Sequence, residues 1–185
     1  MRTRAIAIFA SFALAGCQSM SAPTERLAFD ATAASYIHAK GSQRIEGQAY
    51  VVTRDGSPRP AAKGTVRLVP ATAYARARFE ALYQGKTFIR AAMMPMVNAD
   101  PHYAAYTRTA KTDANGGFRF LNVAPGDYFI TAQEFYSARG TFLPEGGAMY
   151  ERVSVAAGGP AVVGVVLAGR CSSSNSWSSP LEKCP

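Results

Sequence analysis

Between residues 44 and 170 apolar side chains recur mainly at every second position, in short runs punctuated by Gly, Pro, Asp and Asn. That period belongs to half-buried strands. The stretch I-E-G-Q-A-Y-V-V at 45–52 is rich in strand formers and ends at R-D-G-S-P, residues 54–58, a turn cluster that no strand interior accepts. T-V-R-L-V-P at 65–70 alternates, with Val66 and Leu68 on one side. Residues 107–132, T-R-T-A-K-T-D-A-N-G-G-F-R-F-L-N-V-A-P-G-D-Y-F-I-T-A, read as three strands and two turns. In the first turn Asp113 and Asn115 supply side-chain acceptors, and Gly116 and Gly117 supply the positive φ angles of a tight hairpin. The second turn holds Pro125 and Gly126, after which Tyr128, Ile130 and Ala132 alternate. Further strands are expected at 148–156 and 161–167. The second of these, with V-V-G-V-V-L, is nearly continuous in apolar residues and is expected to be buried on both faces.

Two stretches carry helical spacing instead. Residues 71–83, A-T-A-Y-A-R-A-R-F-E-A-L-Y, lack Gly and Pro and place Ala75, Phe79, Leu82 and Tyr83 on one seam. Residues 24–38 predict a shorter helix with Thr24 as cap and a ragged face of Leu27, Ala28, Ala31, Ala34 and Tyr36. Residues 86–108 follow neither period. An uncharged apolar run of ten residues, 5–14, follows Arg2 and Arg4. A membrane-spanning helix needs about 20 such residues, so this run has the layout of an export signal.

Short strands, Gly/Pro turns and few helices predict a mainly β, antiparallel sandwich. The string through Thr112, Asp113, Gly116 or Gly117, Phe118, Phe120, Val123, Pro125, Gly126, Tyr128, Ile130 and Ala132 resembles the signature of carboxypeptidase regulatory-like domains. The resemblance implies a seven-stranded, transthyretin-like sandwich, and it implies a non-catalytic module that supports, spaces or binds. One domain over 43–170 is expected, with a helix-containing insertion over about 71–106 that is longer than the family's usual connection.

Leu14-Ala15-Gly16-Cys17, at the exit of the leader, resembles the lipobox of bacterial lipoproteins. That resemblance implies removal of residues 1–16, acylation of Cys17, and a lipidated terminus and tether over 17–42. Ordinary signal cleavage also fits, because Ala13-Leu14-Ala15 obeys the small-x-small rule. The chain has three cysteines, Cys17, Cys171 and Cys184. An exported chain with one thiol left over is anomalous. Lipid on Cys17 frees the other two to pair, closing a C-terminal tail over 171–185. In the loop-entropy picture such a bond stabilises the tail by about 3 kcal/mol. Gln18, rather than aspartate, after the cysteine implies the outer membrane of a Gram-negative host.

Charge adds a constraint on partners. The formal charge is +8, and it falls to +6 without Arg2 and Arg4. The charges are scattered, with no block of five or more. An exported basic chain meets anionic lipid or anionic glycan rather than nucleic acid, although a merely solvated basic surface reads the same way.

Candidate chemistry is sparse. Asp113-x-Asn115-x-Gly117 resembles the start of a calcium loop, but no glutamate closes it, so a turn is expected and no metal. His38 and His102 are the only histidines, and neither stands near a recognisable nucleophile motif. No cofactor or catalytic residue is assigned. The insert carries Tyr74, Phe79, Tyr83, Phe88, Met93, Met94, Met96, Tyr103 and Tyr106. These suit either a binding surface or the cover of a sheet face. Trp177, the sole tryptophan, is either a presented aromatic or folded back on the sandwich. The expected role is a non-enzymatic, membrane-anchored envelope lipoprotein acting as an interaction or structural module, with an envelope protein or an anionic glycan as partner. The alternative is a glycan- or cell-wall-binding module using Tyr74, Tyr83, Tyr103, Tyr106 and Trp177. An envelope hydrolase with an acidic site is a third reading.

Overall fold

The computed structural model describes residues 27–137 and 142–170. The leader, Cys17, Cys171, Cys184 and Trp177 lie outside the described residues.

The chain is mainly β and folds as two sheets packed face to face. The first contains β1 (Gln43–Val52), β2 (Pro58–Pro60), β6 (Gly117–Val123) and β9 (Val162–Gly169). The second has the order β4 (Phe88–Arg90), β8 (Glu145–Val155), β7 (Gly126–Tyr136), β3 (Thr65–Pro70), β5 (Arg108–Lys111). Nine described strands therefore replace the expected seven; the short β2 and β4 are pieces that pattern reading passes over. On one edge β1 pairs with β6 through Gln43–Gln48 and with β2 through Tyr50–Val52. On its other edge it pairs with β9, and this pairing is parallel. The rest of the ladder is antiparallel. A parallel neighbour cannot be reached by a hairpin. Here the chain reaches it from β8, in the opposite sheet.

The same sheet switching corrects the expected hairpin at 113–117. β5 belongs to the second sheet and β6 to the first, so the turn is a corner between sheets. Asp113 builds it: its Oδ1 accepts from the N–H groups of Asn115 and Gly117, both at 2.8 Å. Gly116 has φ +78°, and a Cβ there would lie 2.2 Å from the carbonyl oxygen of Ala49. After Val123 the chain crosses back at Ala124 and Pro125 to start β7. Alternation looks the same whether a strand's partner is in its own hairpin or across the sandwich, so the pattern located the strands without assigning the pairs.

Between the sheets Ile45, Val51, Val66, Leu68, Phe120, Tyr128, Ile130, Met149 and Leu167 form the main core. Tyr128 is fully buried, and its hydroxyl donates to the carbonyl of Ala124 at 2.7 Å. A second core lies on the outer face of the five-stranded sheet, where Val69, Phe129 and Ala148 meet Ala71, Ala75, Phe79 and Tyr83. The helix that supplies this cover, α2, spans Ala73–Tyr83, within the expected 71–83; α1 is the single turn Ala31–Ala34. Thr72 caps α2 by accepting from the Ala75 N–H at 3.2 Å, and Gln84 ends it in the left-handed region at φ +51°. Ala75, Phe79 and Tyr83 are spaced by four, which puts all three on the buried side. Phe79 stacks on Phe129, with ring centroids 4.3 Å apart.

Thus the strands buried on both faces lie in the five-stranded sheet, β7 together with parts of β3 and β8, and β9 is not among them. Tyr128, Phe129 and Ile130 are buried in succession, whereas Val166 of β9 is 56% exposed between buried Val165 and Leu167. Among the described residues no element covers the outer face of β9.

The N-terminal segment also departs from expectation. The α1 turn is followed by a 3-10 turn over Ser35–His38, and Asp30, not Thr24, is the cap, accepting from Ala33 N–H at 3.0 Å. Ala34 and Ile37 are buried, so residues 29–38 belong to the folded body rather than to a tether that runs to 42. The Tyr36 hydroxyl donates to the carbonyl of Asp127 and accepts from the N–H of Ala71. Its ring lies where a Cβ on Gly126 would be, 2.6 Å from Cε2, so this signature glycine makes room for the latch.

Removing the Phe79 ring opens the second core. Phe79→Ala is expected to cost about 3–5 kcal/mol, and Val166→Ala well under about 1 kcal/mol. Urea unfolding followed by circular dichroism checks both; similar costs would contradict the assignment of the covered sheet.

Candidate functional site

The outer face of the five-stranded sheet changes character along its strands. The register Val69↔Phe129 forms an apolar row beneath α2. Two residues away, Thr109↔Arg67↔Thr131↔Tyr150 forms a row that is polar at its β5 end. Above the polar part stand α2 and the chain from Met94 to Thr107, and between them lies a cavity of about 600 Å³. Thr109, Arg67, Thr131 and Gln133 form its floor. Arg78, Phe79, Leu82 and Tyr83 from α2 form one wall, and Met94, Met96, Val97, Asn98, Tyr103 and Thr107 form the other.

Several contacts fix the second wall. Arg78 Nη1 donates to the carbonyl of Val97 at 2.9 Å, and its guanidinium stands 5.3 Å above the Tyr103 ring. The N–H of Asp100 donates to the Tyr74 hydroxyl at 2.6 Å, and Thr107 Oγ1 donates to the Tyr103 carbonyl at 3.0 Å. Behind the wall Phe29 sits edge-on to Tyr74 and Tyr103, at 5.4 and 6.3 Å, and tilted against Tyr106 at 5.2 Å. A loop without regular structure is thereby held by an aromatic cluster that includes the N-terminal segment.

At the floor, two hydroxyl groups are already engaged within the protein. Thr131 Oγ1 donates to the carbonyl of Met149 at 2.9 Å, so its contact with the Tyr83 hydroxyl, also 2.9 Å, has Tyr83 as donor. Burial pushes the phenols of both Tyr83 and Tyr103 up to about 12, so both are neutral. Arg67 is exposed and forms no salt bridge with a described residue. The lining contains two arginines and no carboxylate, histidine, serine or cysteine. It offers hydrogen bonds, positive charge and apolar contact, which are means of binding.

Of the insert aromatics, Tyr83 and Tyr103 line the cavity, whereas Tyr74 and Tyr106 support it from behind. Tyr83 is only 4% exposed, so it is wall rather than presented surface. Asp113, Asn115, Gly116, Gly117, Pro125 and Gly126 shape corners and do not reach the cavity. His38 packs against Tyr106 at 4.9 Å, and His102 Nδ1 lies 3.1 Å from Asp100 Oδ1, both outside it. Among the described residues no three His, Cys, Asp or Glu side chains converge as a metal site. No described helix is long and apolar enough to cross a membrane. Pattern reading missed Arg67, Arg78, Thr109 and Thr131. Arg67, Thr109 and Thr131 are outward-facing strand positions that look like ordinary solvated sites until the register sets them side by side.

With this geometry in view, the chain is similar to the crystal structure of a candidate carbohydrate binding protein from Pseudomonas aeruginosa. The identity is 28% and the TM-score 0.62, over 76% of this chain and 97% of that one. No protein-family model and no curated protein sequence matches the chain.

The raised phenols have a consequence for stability. In the unfolded chain these tyrosines ionise near their ordinary value of 10, while the native chain holds their protons to about 12. Above pH 10 the unfolded state binds fewer protons, so stability falls as pH rises from 10 towards 12 and is unaffected by these groups below that window. Urea midpoints measured across that range should show the fall, and Tyr83→Phe should make it shallower. An unchanged slope in that variant would contradict the burial of its hydroxyl.

Proposed function

We propose that the protein is a non-enzymatic envelope lipoprotein that binds a saccharide in the cavity between the insert and the outer face of the five-stranded sheet. The observation that carries this reading is the cavity itself. It has the volume of small-molecule sites and a few convergent polar groups set among apolar side chains. The similar Pseudomonas aeruginosa protein supports it, since that protein is described as a candidate carbohydrate binder and nearly its whole length is covered. The carboxypeptidase regulatory-like resemblance supports the same reading, because modules of that kind bind or space rather than catalyse. Acylated Cys17 would hold the module at the outer membrane. Two or more acyl chains suffice for stable anchoring at about 0.8 kcal/mol per buried methylene. Nucleic acid is not among the partners of this reading.

Titration of the mature chain with a panel of neutral and acidic oligosaccharides, read by calorimetry, tests the binding. At least one is expected to bind, and Thr109→Phe, which fills the floor, should abolish that binding with the melting temperature nearly unchanged. Failure of every saccharide would overturn the reading. The anchor is tested separately: Cys17→Ser should move the protein from the membrane to the soluble envelope fraction, and unchanged partitioning would remove the lipid from the account.

A further inference from the structure

Resting on the saccharide reading, the charge in the cavity narrows the ligand class. Neutral sugars are commonly held by stacking on an open aromatic face together with a fan of neutral hydrogen bonds. The aromatic faces in this cavity are already engaged. Arg78 stands over Tyr103, and Tyr83 is stacked 5.6 Å from Phe79 and tilted 4.5 Å from Tyr150. The hydroxyl protons of Tyr83 and Thr131 are committed to Thr131 and Met149. Gln133 and Asn98 offer neutral amides, but the charged group is Arg67, which stands in the middle of the floor without an ion pair to a described residue and with Thr109 and Thr131 directly beside it on the neighbouring strands. Cross-strand neighbours stand about 5 Å apart at Cβ, so the Thr109 hydroxyl and the Arg67 fork can reach one group together. No carboxylate lines the cavity to neutralise either arginine.

We propose that the ligand is an anionic saccharide whose oxyanion is received by the Arg67 guanidinium and the Thr109 hydroxyl. The sugar ring then lies against Met94, Met96 and Val97, which supply apolar contact without stacking. A planar guanidinium matches carboxylate and phosphate equally well, so the shared chemistry is an oxyanion on a pyranose. Arg78 contributes positive field from the wall, while its Nη1 is occupied in holding the Val97 carbonyl.

Four probes bound to the full mature chain separate the possibilities: a glucuronic acid tetrasaccharide, the neutral glucose tetrasaccharide of the same linkage, that tetrasaccharide carrying phosphate, and hexanoate. An oxyanion-bearing saccharide is expected to bind at least about tenfold more tightly than the neutral one, the worth of one charge-assisted contact. Arg67→Gln should bring the acidic and neutral sugars to nearly equal affinity, and Arg67→Lys should restore part of the difference. Arg44→Gln, on the opposite sheet, should change nothing. Added salt should weaken the acidic sugar selectively. The better of the uronate and phosphate probes assigns the oxyanion. Equal wild-type affinity for acidic and neutral sugars, or an Arg67→Gln loss shared by both, would overturn this inference and leave the saccharide reading standing. Hexanoate binding as tightly as the acidic sugars would overturn the sugar half. No saccharide binding at all would instead sink the proposed function.

Discussion

The contact on which the structure turns is the stack of Phe79 on Phe129, a helix side chain on the outer face of a sheet. A sandwich needs only its inner faces covered. Here β3, β7 and β8 also expose Val69, Phe129 and Ala148 outward, and that apolar row would face water without α2. Burying it holds the insertion against the sheet at one row. The next row, with Thr109, Arg67 and Thr131, is polar and does not draw the chain down upon it. The cavity follows from that step in polarity: cover is pulled tight over one row and stands off the next.

The standing wall needs its own support, because residues 94–107 have little regular structure. Support comes from Phe29, Tyr74, Tyr103 and Tyr106, and from Arg78 bonded to Val97. Phe29 lies near the start of the described chain. The same segment is locked onto the sandwich by the two hydrogen bonds of the Tyr36 hydroxyl, over the space left by Gly126. The N-terminal segment and the cavity wall are thus one packed unit.

Surface charge plays two roles. Arg44 and Arg119 converge on Glu46, and Arg59 meets Glu134, in exposed pairs whose contribution to stability is small. Arg67 differs from these by having no such partner among the described residues.

The period-two pattern by itself determined the class of fold, most of the strands, and the inward side of β3, β6 and β7 at Val66 and Leu68, Phe118 and Phe120, and Tyr128 and Ile130. Helical spacing determined α2 and its buried seam to within two residues at its start. Asp113, Gly116 and Gly126 were legible as turn residues because a turn's demands are local to a few bonds. Tertiary structure alone decided that the 113–117 turn joins different sheets, that β9 lies parallel to β1, and that β7 rather than β9 is covered twice. It also gathered Arg67, Thr109 and Thr131, which are far apart in the chain, into one floor. Alternation records how often a residue meets the core and carries no information about which strand stands beside it. A site built across strands is therefore invisible until register exists.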